Sequence, residues 1–519
     1  MRLIFYILSF FASCIWASVP ERYHTYQEVV KELDSIATLY PNITYLDSIG
    51  ISHTDSLPIW AIKISANPQI EEDEPAILYN GTHHAEELLG TEICMHMIND
   101  LVTRYGIDPK VTRWIDSLEI WIVPIVNPDG REIVTSGLDT IWRKNTHDNN
   151  HNGTFERDSD GVDLNRNYDF NWNDGDANPL SEYYRGDAPF SELETQAIRN
   201  LSLAQHFVFD VCYHSARTGI KEVIYYPWRW DMTFSPDHPT IKPIADSMAK
   251  LITNERATGS YAAIFGTIGD GGSARDWFYG TQGTISFTAE VCTCCILLGE
   301  AVDGLCQRNL VGAYFLLDRA LGSGITGQII DSLAGTPIEA EVRILEAYND
   351  KISPRLSEPL FGRYHRILAP GVYTVEVSKS GYDTVKIDSV IVDSGAPTIL
   401  NIKLLYVGVE ESANPKSQIP NPKLEIYPNP FSFSTTITIP NSSRECGVPK
   451  KAGQSPILLE VYDLTGRLVK SFLLNPYPVS LGTGLTTILD VSDLEMGSYF
   501  IKLGGRDFIV PIKKIILIK

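Results

Sequence analysis

The stretch Asn80-Gly-Thr-His-His-Ala-Glu-Glu-Leu-Leu-Gly90 carries the spacing His-x-x-Glu twice, in overlapping frames. His83 could act with Glu86, or His84 with Glu87, and the spacing leaves both frames open. In either frame two metal-type donors stand three residues apart, so a helix beginning here would put both on one face, around one ion. Such a pair plus a distant histidine makes His₂Glu, the three-ligand set that leaves the fourth position of zinc open for water. His214, in Tyr213-His-Ser215, is such a histidine, and Glu290 closes the run Ser286-Phe-Thr-Ala-Glu290. Each piece alone has a bland reading: a solvated helix start, a satisfied polar group, a strand-end charge. Their combination favours a metal-dependent site.

The elements that must position these residues follow from the apolar pattern. Over residues 20–321 apolar runs alternate with amphipathic stretches, which predicts an α/β fold with a mixed, mostly parallel central sheet flanked by helices. Strands are expected at 76–79, 118–123, 207–211 and 284–289, and helices at 88–105, 192–204, 241–253 and 302–320. Open α/β sheets bind ligands outside the carboxyl ends of their strands, so the His84 segment, His214 and Glu290 are expected to converge. After Gly322-Ser-Gly324 the texture changes to short alternating strands with Gly, Pro and Asp turns, an all-β module over 325–405. A linker rich in Pro, Asn and Ser follows at 406–422, densest over 411–422, then a second all-β segment over 423–519. Both β segments are expected to be small and sandwich-like.

With 43 basic against 64 acidic residues the net charge is −21, which argues against nucleic acid and anionic membranes as partners. Residues 1–17 have one basic residue, an apolar run and then small residues, the layout of a secretory signal cleaved after Ala17. An alternative is lipidation at Cys14. No later segment is apolar and long enough to span a membrane. Of eight cysteines, seven follow Ala17. One disulfide is expected from Cys292, Cys294 or Cys295 to Cys306, the rest being buried thiols; the cluster lacks the second pair that a structural zinc site needs. The Asp- and Asn-rich loop over 147–176 contains Asp158-Ser-Asp-Gly161, a partial calcium motif without the spaced ligands of an EF-hand, and is expected to be a solvated loop.

Several separated motifs, in order, resemble the zinc metallocarboxypeptidases, or funnelins, across residues 23–320. They are Gly81-Thr-His-His-Ala-Glu-Glu87, Pro124-Ile-Val-Asn-Pro-Asp-Gly130, Trp142-Arg-Lys-Asn145, Gly161-Val-Asp-Leu-Asn-Arg-Asn167, Tyr184-Arg-Gly186 with Pro189-Phe-Ser-Glu192, Tyr213-His-Ser215 and Ser286-Phe-Thr-Ala-Glu290. The resemblance implies one zinc ion on His84, Glu87 and His214. It implies Glu290 as the general base that takes a proton from the attacking water and passes it to the leaving amine. It implies Arg143 at the developing oxyanion, with Asn165 and Arg166 on the substrate's terminal carboxylate and Ser215 among the binding residues. Arg275 falls near the position that sets side-chain specificity; a cation there would suit acidic C-terminal residues unless an acid such as Asp276 neutralises it.

Departures are visible too. Glu86 stands where the family usually places a substrate-binding arginine, and no tyrosine occupies the neighbourhood of Ile268 and Gly269, where the family has a mobile one. No long propeptide is expected between the signal and Tyr23. The module at 325–405 looks like the transthyretin-like carboxypeptidase regulatory domain. Leu424-Glu-Ile-Tyr-Pro-Asn-Pro-Phe431, Val461-Tyr-Asp-Leu-Thr-Gly-Arg-Leu-Val-Lys470 and Gly497-Ser-Tyr-Phe-Ile-Lys502 resemble the C-terminal sorting domain of type IX secretion. The implied protein is a secreted or surface-held monomeric carboxypeptidase acting on peptide C-termini and handled by secretion machinery. The alternatives are a γ-glutamyl peptidase of cell-wall peptides and a catalytically inactive binding protein.

Overall fold

In the strand Ala76–Gly81, Ile77 and Tyr79 enter one apolar layer while Ala76 and Leu78 enter another. That period of two, with apolar residues on both faces, is the signature of a sheet covered on both sides. The structure, a computed structural model, describes residues 19–215, 222–230, 233–266, 271–407 and the strands within 425–517. The expected signal segment with Cys14, the linker over 411–422, Cys446 and positions Ile268 and Gly269 lie outside the described residues. The chain forms two units, residues 1–409 and 410–519.

The first unit is built on eight strands: β1 (Thr44–Ile51), β2 (Pro58–Ile64), β3 (Ala76–Gly81), β4 (Glu119–Val123), β5 (Phe209–His214), β6 (Val223–Tyr226), β7 (Ala262–Phe265) and β8 (Ile285–Glu290). They run in the order β1-β2-β4-β3-β5-β8-β6-β7. The middle four, β4, β3, β5 and β8, are parallel, and β1, β2 and β6 join antiparallel. The helices are α1 (Tyr26–Leu39), α2 (Leu89–Arg104), α3 (Pro109–Ile115), α4 (Pro128–Thr135), α5 (Leu193–Gln205), α6 (His238–Leu251), α7 (Ala274–Gln282) and α8 (Ala301–Ala320). Buried residues of α1, α2, α3, α4, α6 and α8 cover one face, and those of α5 and α7 the other. The expected strands and helices are all present, with ends moved by at most three residues, and the expected mixed α/β sheet is the one observed.

At the site's own segment the helical alternative for the His-x-x-Glu pair is not taken: α2 begins at Leu89, one residue from its expected start. Thr82 has φ 56°, and the Ala85 N–H donates to the Arg143 carbonyl at 3.0 Å rather than to a helical partner. A tight turn, Glu87 N–H to His84 carbonyl at 3.2 Å, brings the two donors together instead. The bracketing glycines explain its compactness: a Cβ on Gly81 would collide with the Gly90 backbone, and one on Gly90 would meet the Tyr213 carbonyl.

The expected disulfide is also absent. Cys306 is a buried free thiol on α8, in the apolar layer that holds Cys94, and burial pushes it up to about 12. Cys292 and Cys294 are free thiols as well.

The segment just before α1 is tied down by charge. His24 Nδ1 lies 2.8 Å from Glu92 and its Nε2 3.2 Å from Glu32. Hydrogen bonds to Glu32 and then Glu92 raise its pKa to about 9. The folded protein therefore holds this proton more tightly than the unfolded chain, so the stabilisation is complete below pH about 6.5 and is lost as pH rises through about 9. A His24→Gln variant should show a shallower fall of thermal midpoint between those two values, measured by calorimetry at several pH values.

Strands β9 (Gly324–Asp331), β10 (Glu341–Ile344), β11 (Arg355–Leu356), β12 (Arg363–Ile367), β13 (Gly371–Ser378), β14 (Val385–Val392), β15 (Thr398–Ile399) and β16 (Ile402–Leu404) form two four-stranded sheets. Their inner faces share a separate core that includes Ile325, Ile329, Val342, Tyr364, Val375 and Leu404. Three buried arginines fasten these sheets to the α/β region. Arg355 donates to the carbonyls of Gly283 at 3.0 Å, His206 at 2.5 Å and Phe207 at 2.9 Å. Arg366 reaches Asp237 at 3.2 Å, and Arg363 donates to the Glu72 carbonyl.

The described residues of the second unit form β sheets, as expected. A three-stranded sheet joins Glu425–Tyr427, Ser434–Ile439 and Leu485–Asp490, and a four-stranded one joins Leu468–Leu474, Ile457–Tyr462, Gly497–Gly505 and Phe508–Leu517.

Candidate active site

Three parallel neighbours deliver the expected groups to one edge of the sheet. The His84 turn follows β3, His214 ends β5, and Glu290 ends β8 in direct register with His214. The donors of His84, Glu87 and His214 converge within 4.8 Å of one another, and all three residues are buried. His84 Nδ1 lies 3.0 Å from His214 Nδ1 and 3.0 Å from Glu87 Oε1, while His214 Nδ1 lies 2.7 Å from Glu87 Oε2. Burial works to raise the Glu87 carboxyl, but His84 and His214 overcome it and hold it low.

Both imidazoles point the same nitrogen, Nδ1, at the common space, and their far nitrogens are held elsewhere. His84 Nε2 is 3.1 Å from Asp163 Oδ1. His214 Nε2 is 3.0 Å from Cys212 Sγ and 3.3 Å from Asn165 Nδ2. A carboxylate at Nε2 fixes the proton there and turns the Nδ1 lone pair of His84 toward a metal, the usual outer support of a ligating histidine. Two such nitrogens and one carboxylate suit zinc with an open fourth position. The frame left open by spacing is thereby narrowed: His83 bonds Tyr168 at 2.8 Å and Cys212 at 3.1 Å, and Glu86 shares no donor cluster with it among the described residues.

Arg143 comes from the segment that pairs with the His84 turn. Its Nε and one terminal nitrogen donate to Asp163 Oδ2 at 3.0 and 2.8 Å, and its other nitrogen is 3.8 Å from Glu87. Burial works to lower the Arg143 pKa, but Asp163, Glu86 and Glu87 raise it, so Glu86 belongs to the acid surround of this guanidinium. Burial likewise works to raise the Asp163 carboxyl, yet Arg143 and His84 hold it well below the usual range. Asp163, fully buried, thus joins His84 to Arg143. It stands inside a quoted motif, but residue type alone gave no role for it; its central place in Gly161-Val-Asp-Leu-Asn-Arg-Asn167 was the available signal. Gly161, φ 85°, is required there because a Cβ would collide with the Asn145 carbonyl.

Arg166 is partly exposed and lines a cavity of about 420 Å³ with Asp174, Gly175, Asp176 and Tyr183. The Tyr183 ring lies 5.1 Å from the Arg143 guanidinium and 5.9 Å from that of Arg166, a contact no spacing rule exposed. Asn165 is buried, its Oδ1 accepting from the Ala274 N–H at 2.9 Å. The Ser215 N–H donates to Glu87 at 3.2 Å, which gives that residue a part in fixing the ligand. Arg275 is buried and forks onto Asp276 at 2.8 and 3.0 Å, so the anticipated neutralising acid is its neighbour. In the loop over 147–176, Asp148 accepts from the Gly153 N–H and Asp160 from the Glu156 N–H; its carboxylates form no metal-type group among the described residues.

The fold and this donor set together define a class: enzymes and enzyme relatives built around an α/β sheet with a His₂Glu metal centre at its carboxyl edge. A profile of the zinc carboxypeptidase family matches residues 29–308, more than half of the chain, and the chain belongs to that family. Residues 425–519 match the secretion system C-terminal sorting domain. The zinc carboxypeptidase of Saccharothrix mutabilis subsp. capreolus is 38% identical over 151 residues, 29% of this chain and 33% of that protein. The inactive metallocarboxypeptidase ecm14 of Talaromyces marneffei is 27% identical over 290 residues, 50% of this chain and 47% of that protein. The chain thus spans a third to about half the length of these curated relatives. Among solved structures, thrombin activatable fibrinolysis inhibitor superposes with a TM-score of 0.50 at 24% identity, over 57% of this chain and 74% of that one, a likeness of fold.

Proposed function

We propose that this chain is an exported zinc metallocarboxypeptidase that removes residues from the C-termini of peptides. The observation that carries the reading is the convergence of His84 Nδ1, Glu87 and His214 Nδ1, with Asp163 behind His84 and Glu290 beside His214. His84, Glu87 and His214 would hold the zinc ion, whose chemistry in such a site is Lewis acidity. Glu290 takes a proton from the attacking water as its oxygen bonds the scissile carbonyl carbon. It then delivers that proton to the amine as the C–N bond breaks, leaving a shortened peptide and a free amino acid. Arg143 supplies positive charge where the carbonyl oxygen becomes anionic. Arg166 and Asn165 meet the terminal carboxylate, with the Tyr183 ring closing over both arginines. The Arg275 charge, offset by Asp276, adds little pull on acidic terminal side chains. Export rests on the signal-like residues 1–17 and the sorting domain at 425–519, and the sheets at 325–405 act as a folding and docking module.

Digestion of a peptide library followed by mass spectrometry tests the reading. Stepwise loss of single C-terminal residues, abolished by a zinc chelator and restored by zinc, is the expected result. Cleavage of muropeptides with no action on ordinary peptides would replace it with the γ-glutamyl alternative. No hydrolysis of either by the zinc-loaded protein would replace it with a catalytically inactive binding protein; the Talaromyces relative carries the name of an inactive metallocarboxypeptidase.

A further inference from the structure

A second convergence of metal-type donors lies outside the catalytic trio. His53 follows β1, His147 lies four residues beyond Arg143, and Glu192 caps the start of α5. These segments are far apart in sequence, yet one donor atom from each falls within 4.8 Å of the others. His147 Nδ1 is 2.9 Å from Glu192 Oε2, and His53 Nδ1 is 3.4 Å from the same oxygen. His53 Nδ1 is buried and makes no hydrogen bond. The two rings stack at 4.1 Å with 29° between their planes, so both Nδ1 atoms face the carboxylate from one side.

Outer partners hold the carboxylate as a built site requires. Glu192 is fully buried; the Asn145 amide donates to its Oε2 at 2.7 Å and the Ser191 hydroxyl to its Oε1 at 2.7 Å. A further buried acid, Glu194, accepts from the His53 N–H at 3.1 Å. Two imidazole nitrogens and one carboxylate favour a first-row transition ion over calcium or magnesium, which select oxygen ligands.

We propose that His53, His147 and Glu192 form a second metal site, for a divalent transition ion such as zinc, which staples three separate segments beside the catalytic loop. The site reaches the active centre through Asn145. That residue bonds Glu192 on one side, and on the other its N–H donates to the Val162 carbonyl while its side-chain oxygen accepts from the Val162 N–H. Val162 precedes Asp163, so an ion here stiffens the strap between Arg143 and Asp163. Its role is structural.

The test is metal stoichiometry on the full chain, stripped with chelator, reloaded with zinc and read by elemental mass spectrometry. The parent should hold about two equivalents, and the His53→Gln/His147→Gln variant about one fewer than the parent. The complementary His84→Gln/His214→Gln variant leaves the second trio intact, so it should keep about one equivalent and show a zinc-dependent rise in thermal midpoint. The proposal is overturned if His53→Gln/His147→Gln binds as much zinc as the parent, or if His84→Gln/His214→Gln binds none. Failure of the catalytic trio alone would appear differently, as a parent with one equivalent that His84→Gln/His214→Gln fully retains.

Discussion

Replacing Glu290 with glutamine should lower kcat on a C-terminal peptide substrate by about 10²- to 10⁴-fold, the usual worth of a positioned general base. Zinc content and thermal midpoint should stay at the parent's values. The expectation rests on placement: Glu290 ends β8, pairs in register with His214 of β5, and is not among the three converging donors. Glutamine keeps the volume and the strand but cannot accept the proton. Steady-state kinetics beside elemental analysis separate the two roles. Parent-like turnover would remove Glu290 from the chemistry, and loss of zinc would make it a ligand instead.

The second large effect belongs to Asp163. Changing it to asparagine removes a buried anion that meets Arg143 through two hydrogen bonds and His84 through one. An arginine left buried without its partner costs about 3–5 kcal/mol of folding stability. The lost support of His84 should also weaken zinc binding by about 10- to 100-fold. Denaturant titration and competition with a zinc chelator measure the two independently. A variant that binds zinc as tightly as the parent would show that Asp163 serves Arg143 alone.

These two residues mark how far the sequence could be read. The convergence of the His84 segment, His214 and Glu290 was legible because parallel strands put their carboxyl ends on one edge, while the choice of His84 over His83 came from the family resemblance. The unbroken apolar run Ala76 to Tyr79 made the strand legible, and the structure buries it on both faces. Asp163 had a position in a motif but no role, since a buried acid between a histidine and an arginine looks in sequence like any other aspartate. The turn that joins His84 to Glu87 was not legible, because His-x-x-Glu spacing suits a helix or a turn, and the deciding bond, Ala85 N–H to Arg143, joins residues 58 apart. His53, His147 and Glu192 left no trace: donors from three segments have no spacing to recognise. The disulfide to Cys306 failed because cysteine counts say nothing of which face of α8 a thiol occupies.

Arg355 links the β sheets at 325–405 mechanically to the strands that carry His214 and Glu290. The carbonyls it grips, Phe207 and Gly283, lie just before β5 and β8, the strands whose far tips carry His214 and Glu290. Each strand is a beam of roughly 17 Å, laddered to its neighbour along its length and held at its root by one guanidinium. Because the same cation holds both roots, shear that slides Glu290 past His214 must break its grip as well as the ladder. A fragment trimmed to the catalytic region would keep every reactive group and lose that clamp.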